Sequence, residues 1–295
     1  MGAKKILFAT RFEESAYRAL ESLVDLKTAG LEEIVLTYVI PREDVAFVPY
    51  GGYMKDEEER LREQARIRFE DWQAALNRAG VRSKIRIEEG EIIPTLMKIA
   101  EEERIDFIVA GRKKRSKTET VYVGSHMIDL LRRTPVPVLV SKYSVYCDAA
   151  EACIEKINEH PFERPLLATD WSEPSQNALN LAKALKGAIK RLEVAHVIGV
   201  KISKNLDKTE LGRLESESRE RLDQWRRHLT DAGIDCRTHL AAGRTTSEIM
   251  RLCRDLECTM TILGTTGKDR VRALFLGSVS QRIAEASEVP TLLVP

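Results

Sequence analysis

The sequence has no apolar run of the length that a membrane span needs. It has almost no excess of either charge: 47 Lys and Arg against 46 Asp and Glu leave a formal net charge of +1. So balanced a chain offers no global attraction to nucleic acid or to an anionic membrane surface. Neither is expected as a partner. Cysteine is sparse, and Cys147, Cys153, Cys236, Cys253 and Cys258 form no Cys-x2-Cys pair. That speaks against a disulfide framework and against the commoner zinc sites. Reduced, buried thiols in a cytoplasmic protein are the expectation. No secretory h-region precedes the first strand pattern, Lys5 to Thr10, which fits the same compartment. There is no Gly-x4-Gly-Lys-Ser/Thr loop and no dinucleotide fingerprint. The histidines, His126, His160, His196, His228 and His239, have no evident Ser or Cys partner. A triad hydrolase is therefore not expected, and no catalytic or metal-ligating residue is assigned.

What is present is a chain of 295 residues with 43% apolar and 32% charged residues, enough for two ordinary domains with real cores and a polar surface. Short apolar strand patterns alternate with helix patterns. The first half reads strand Lys5–Thr10, helix Glu14–Ala29, strand Ile34–Ile40, helix Asp56–Arg78, strand Ser83–Glu88, helix Ile92–Glu103, strand Phe107–Ala110, helix Gly124–Arg133 and strand Val136–Val140. The second half repeats this. Trp72, Gly80, Gly90, Gly111, Gly124, Ser125, Val136 and Pro137 each recur 153 positions later, as Trp225, Gly233, Gly243, Gly264, Gly277, Ser278, Val289 and Pro290. That is a duplication at domain scale. The expected units are residues 1–143 and 163–295, joined by a linker, 144–162, with a short helical run from Ala149 to Asn158. Alternating strands and helices imply an α/β fold with two five-stranded parallel sheets and helices on both faces. In such sheets a ligand sits at the C-terminal strand ends, near the switch in strand order. The final strands, Val136–Val140 and Pro290–Val294, are short apolar edges that invite pairing with one another.

One stretch organises the second half. Met260-Thr261-Ile262-Leu263 reads as a buried strand, Gly264 and Gly267 fall at its end, and Gly277-Ser278 opens a helix. Glycine at a strand end admits positive φ and close backbone approach to a ligand. A helix N-terminus offers unpaired N–H groups to a phosphate. Ser278 and Ser280 add hydroxyl donors.

Gly-x2-Gly-x9-Gly-Ser is the nucleotide-binding signature of the ATP-binding universal stress proteins, and residues 264–278 match its spacing in full. The chain resembles a tandem universal stress protein over nearly its whole length. The resemblance implies two Rossmann-like, adenine-nucleotide alpha-hydrolase-like domains forming an internal pseudo-dimer. It implies a stress-response or regulatory protein that binds ATP, with Mg²⁺ as an accompanying ion, and changes conformation or partner with its nucleotide. A protein partner and further homodimerisation are both compatible with it. By the resemblance the ATP contacts are Thr169, Asp170, Val197, Leu263, Gly264, Thr266, Gly267, Gly277, Ser278, Val279 and Ser280. Asp170 would lie near the ribose or the metal-bound phosphates, the Val197 backbone at the adenine edge, and Leu263 against the base. Thr266 stands where the family often has His. The first half departs from the pattern: Arg11 takes the place of Asp170, Glu13 that of Ser172, and Lys114 that of the second glycine in a basic loop, Gly111 to Lys117. ATP is therefore expected in the second half alone, with a single anion at Gly124-Ser125 at most. Two other readings are weighed: an ATP-cleaving or adenylating enzyme of the alpha-hydrolase type, and a nucleotide-free module that binds lipid or protein through the aromatic loop 41–54.

Overall fold

In a computed structural model, the structure describes residues 2–12, 16–47, 52–53, 55–114, 125–147, 153–203, 205–267 and 276–295. Glu13, Gly124, residues 115–117 of the basic loop and the tip of the aromatic loop (48–51 and 54) lie outside them. The first half comprises β1 (Lys5–Ala9), α1 (Ala16–Glu21), β2 (Glu33–Pro41), α2 (Lys55–Arg78), β3 (Arg82–Gly90), α3 (Ile92–Glu102), β4 (Phe107–Lys114), α4 (Ser125–Arg133) and β5 (Val138–Cys147). After the strand β6 (Cys153–Ile157) the second half follows as β7 (Pro165–Thr169), α5 (Glu173–Ala184), β8 (Leu192–Gly199), α6 (Lys208–Asp231), β9 (Cys236–Gly243), α7 (Thr245–Asp255), β10 (Met260–Gly264), α8 (Ser278–Ala286) and β11 (Thr291–Val294). The helix expected from Glu14 to Ala29 is α-helical only to Glu21 and continues as a 3-10 helix, Ser22–Ala29.

Apart from a short antiparallel pair, Ala46–Phe47 with Gly52–Tyr53, the strands form one 11-stranded sheet. Its order is β9-β8-β7-β10-β11-β5-β4-β1-β2-β3, with β6 paired to β5 outside that path. Within each half the neighbours are parallel. The halves meet where β11 pairs antiparallel with β5, Thr291 opposite Val140, Leu292 opposite Leu139 and Leu293 opposite Val138. The two expected edges thus close on one another inside a single chain, and the halves form a pseudo-dimer.

Alternation along the strands explains why both sheet faces are covered. Successive side chains point to opposite faces, so Ile6 and Phe8 join one core while Leu7 joins the other. Leu139, Leu292 and Val294 continue the first core across the seam; Val138, Val140 and Leu293 continue the second. Strands buried on both faces read as unbroken apolar runs, as parallel strands do. The long helices stop where the sequence gives glycine: Gly80 and Gly233 take φ of +74° and +83°, a backbone open to glycine without a Cβ penalty. A second contact between the halves lies at Gly187, where an added Cβ would stand 1.9 Å from the Thr28 carbonyl oxygen.

Two expectations are corrected. Among its described residues the Ala149–Asn158 run is not helical: Cys153–Ile157 is a strand paired antiparallel with β5, Cys147 opposite Cys153, and 149–152 lie outside the described residues. The residues Gly111 to Lys114 are not a loop but the end of β4, paired in register with Ser141 to Ser144. Backbone pairing, which ignores side-chain charge, wins over the solvated-loop tendency of a basic run.

Candidate functional site

The second half places its special residues at the C-terminal ends of β7, β8 and β10, beside the first turn of α8. β7 ends in Thr169, whose hydroxyl accepts from the Trp171 N–H at 3.0 Å and bonds the Ser175 hydroxyl at 3.1 Å. This turn puts Trp171 at φ +68°, a left-handed conformation costing roughly 1 kcal/mol for a side chain of this bulk. The chain then enters α5, and Ser172 is its cap, accepting from the Ser175 N–H at 3.4 Å. Asp170 is not the cap. Its Oδ1 accepts from the Ser172 N–H at 3.1 Å and the Ser172 hydroxyl at 2.5 Å. Its Oδ2 faces Gly267, where an added Cβ would come within 2.7 Å of it.

The glycines are explained by proximity, not by handedness. Neither Gly264 nor Gly267 has positive φ, and Gly277 sits at φ −63°, so positive φ, expected from the sequence, is not what these positions require. A Cβ on Gly264 would meet the Pro174 Cβ at 2.7 Å and the Ser175 nitrogen at 2.9 Å, so strand β10 and helix α5 can approach only without it. A Cβ on Gly277 would lie 3.1 Å from the Thr265 carbonyl oxygen. Close approach locks the two ends of the Gly264–Gly277 segment together: Gly277 N–H donates to the Thr265 carbonyl at 2.7 Å, and the Ser280 hydroxyl to the Gly264 carbonyl at 2.7 Å.

Helix α8 begins with Gly277 as N-cap, without a side-chain cap and without an acidic residue in its first turn, among the described residues. The first N–H groups of a helix have no intrahelical partner. Two other helices of this half meet that need internally: Ser172 caps α5, and Asp207 and Glu210 form a reciprocal capping box on α6. The N-terminus of α8 instead opens on a cavity of about 630 Å³. Thr169, Asp170, Val197, Leu263, Gly264, Thr266, Gly267, Gly277, Ser278, Val279 and Ser280 all line it. The structure therefore brings together every residue singled out in the sequence, at one end of the sheet beside the switch between β7 and β10.

The cavity has a wall that sequence reasoning missed. Leu214, Glu217, Ser218 and Arg221, at helical spacing on α6, line it together with Trp171 and His196. The i, i+3, i+4, i+7 spacing was available as a signal, but α6 is charged enough to read as a solvated helix. The Nδ1–H of His196 donates to the Thr169 carbonyl, which can only accept, at 2.7 Å. The His196 ring packs 4.9 Å from Trp171, which meets Trp225 edge-on at 5.3 Å and has the Arg221 guanidinium over its face at 5.8 Å. His196 is thus held by its strand neighbour and by an aromatic wall. No group of three or more His, Cys, Asp or Glu among the described residues is placed to hold a metal ion.

The first half repeats the turn but not the space. Phe12 takes φ +60° with its N–H on the Thr10 hydroxyl at 2.8 Å, as Trp171 does on Thr169. Phe12 then packs against Tyr38, Phe69 and Trp72, with ring centroids 5.3, 4.7 and 5.4 Å away. The cavity at this end holds about 150 Å³ among the described residues, with Arg11 in its wall where the second half has Asp170. β10 stops at Gly264, whereas β4 runs on to Lys114, so the backbone that turns into a cradle in one half is committed to a strand ladder in the other.

Comparison with known proteins supplies the family. Residues 2–142 and 161–295 each match the universal stress protein family. Universal stress protein MJ0577 of Methanocaldococcus jannaschii is 29% identical over 153 residues, covering 47% of this chain and 94% of that protein. Universal stress protein MJ0531 of the same organism is 26% identical over 144 residues, covering 46% and 84%. Among solved structures, a universal stress protein from Archaeoglobus fulgidus DSM 4304 superposes with a TM-score of 0.76 at 22% identity, covering all of this chain and 99% of the other. The chain belongs to the universal stress protein family, in tandem form.

Proposed function

We propose that this tandem universal stress protein binds one adenine nucleotide, ATP, in its second half, and acts as a regulatory protein through the bound state. The observation that carries the reading is the meeting of two phosphate-suited backbones, Thr265–Gly267 and the uncapped first turn of α8, on a 630 Å³ cavity beside Asp170. A nucleotide fits this donor set. Its phosphates would take the α8 N–H groups and the Ser278 hydroxyl, with the Ser280 hydroxyl held on the Gly264 carbonyl beside them; its ribose would face Asp170, and its base would lie against Val197 and Leu263. Mg²⁺ would arrive on the phosphates, with Asp170 the carboxylate at hand; the ion would neutralise phosphate charge. Polar contacts at Asp170 and Ser278 orient the ligand, and the apolar ends of β8 and β10 exclude water from the base. The working unit is taken as residues 163–295, with 144–162 as the connection to the degenerate half, in a cytoplasmic setting.

Calorimetric titration of the whole chain with ATP tests the reading, with binding expected. Gly277→Val puts a branched side chain where even a Cβ lies 3.1 Å from the Thr265 oxygen. It is expected to abolish binding while the circular dichroism spectrum persists. Unchanged affinity in that variant would place the site elsewhere. Accumulation of ADP or AMP on incubation would favour an ATP-cleaving enzyme.

A further inference from the structure

Lys142 belongs to the first half by sequence and to the second by contact. It lies on β5, just past the pairing of Val140 with Thr291 that joins the halves. Its side chain is buried, and its ammonium donates to the Ile283 carbonyl at 3.2 Å and the Ser287 carbonyl at 2.8 Å. Both acceptors belong to the C-terminal end of α8, the helix whose first turn lines the cavity. The last carbonyls of a helix have no intrahelical donor and carry partial negative charge, which a cation there offsets.

Internal duplication provides the comparison. Helix α4, the counterpart of α8, carries Arg132 and Arg133 in its own last turn, whereas α8 has no basic residue there. The position equivalent to Lys142, 153 residues on, is Pro295, which has no charge to give. The second-half helix thus receives from the other half, in space, the cation that the first-half helix carries itself. The extension of β5 to Cys147, beyond the Val136–Val140 strand expected from the sequence, is what brings Lys142 there.

We infer that Lys142 is a positioning residue for the nucleotide site: by holding the C-terminus of α8 it fixes the helix whose N-terminus receives phosphate, and it couples the degenerate half to the binding half. The inference rests on the nucleotide reading above. Loss of the ammonium removes the Lys142 donor from the Ser287 carbonyl and the second of two donors from the buried Ile283 carbonyl, which keeps the Ser287 N–H at 2.9 Å. The helix then shifts or frays, and the first-turn N–H groups lose their alignment with the Thr265–Gly267 backbone.

The test is an ATP titration of the full chain, unsubstituted and with Lys142→Met or Lys142→Arg, far below the melting temperature of each. Lys142→Met is expected to weaken ATP at least about tenfold, a loss of about 1.4 kcal/mol, with native circular dichroism; Lys142→Arg, which still donates, is expected to stay within about threefold. A purely structural lysine would lower the melting temperature of Lys142→Met and leave its affinity unchanged, and that result overturns the inference alone. Absence of binding in the unsubstituted chain overturns the nucleotide reading and the inference with it. Should Lys142→Met fail to fold, amide exchange in the unsubstituted chain decides. Because coupling is reciprocal, ATP is expected to slow exchange in 136–142 as well as in 278–287, and slowing confined to the second segment overturns the coupling.

Discussion

At the scale of single residues, the proposed site turns on the pair Asp170 and Gly267, where an added Cβ would lie 2.7 Å from the Asp170 carboxylate. Asn at position 170 keeps the acceptor that Ser172 uses but replaces the carboxylate charge, so Asp170→Asn is expected to weaken ATP about tenfold or more, most strongly with Mg²⁺ present, at little cost to folding. Calorimetry with and without Mg²⁺ checks this; equal affinity would remove Asp170 from the site. A different residue governs acid stability. Glu103 is buried and accepts from Lys5 at 2.8 Å, Lys84 at 2.6 Å and Arg86 at 2.7 Å, which hold its carboxyl down at about 2. A carboxyl depressed in the folded state binds fewer protons there than in the unfolded chain. Its contribution is full above the ordinary glutamate range and is lost as pH falls toward 2. Glu103→Gln is expected to destabilise the protein by on the order of 2 kcal/mol at pH 7 and to flatten the loss of stability between pH 5 and 2, measured by urea unfolding. That these residues would meet around one cavity was legible in the sequence, because glycine spacing and a polar residue after a strand are local signals. The left-handed turn at Trp171 and the anchoring of His196 on Thr169 were not, since each depends on atoms from a neighbouring strand or turn.

At the scale of elements, the strands of both halves were legible because they are buried on two faces and read as unbroken apolar runs. The continuation of β4 through Arg112, Lys113 and Lys114 was not, because its stabilisation is a backbone ladder with Ser141 to Ser144. In that ladder the described residues Gly111 to Lys114 are engaged in strand pairing, whereas the second-half strand stops at Gly264. Lys142 was equally invisible, since its partners lie 141 and 145 positions away. Helix α6 is anchored by its capping box, Asp207 accepting from the Thr209 and Glu210 N–H groups at 2.7 and 2.8 Å. Asp207→Ala is expected to cost about 1 kcal/mol of stability. Thermal denaturation checks the size, and no change would mean that the helix start is held by packing alone.

Across the whole molecule, the two halves meet at an interface within one chain. Contacts across the seam include the β5–β11 pairing, the Lys142 ammonium on the end of α8, and the approach of Gly187 to the 3-10 helix ending at Ala29. At Gly187 a Cβ would overlap backbone, which cannot rotate away. Gly187→Val is expected to destabilise the chain by about 2 kcal/mol or more, and a melting temperature equal to that of the unsubstituted protein would place the halves differently. The duplication itself was the most legible feature, a repeat of 153 residues visible in glycine and tryptophan positions. The unequal cavities among the described residues, about 150 Å³ and 630 Å³, were not legible, because a cavity is set by contacts between distant elements.

The central claim is one nucleotide per chain, held in the second half. Native mass spectrometry of the whole chain with increasing ATP reads that number directly, beside the Gly277→Val variant. The account predicts a single bound ATP that saturates, and none in the variant. Two equivalent ATP molecules per chain, or one that survives Gly277→Val, would contradict it.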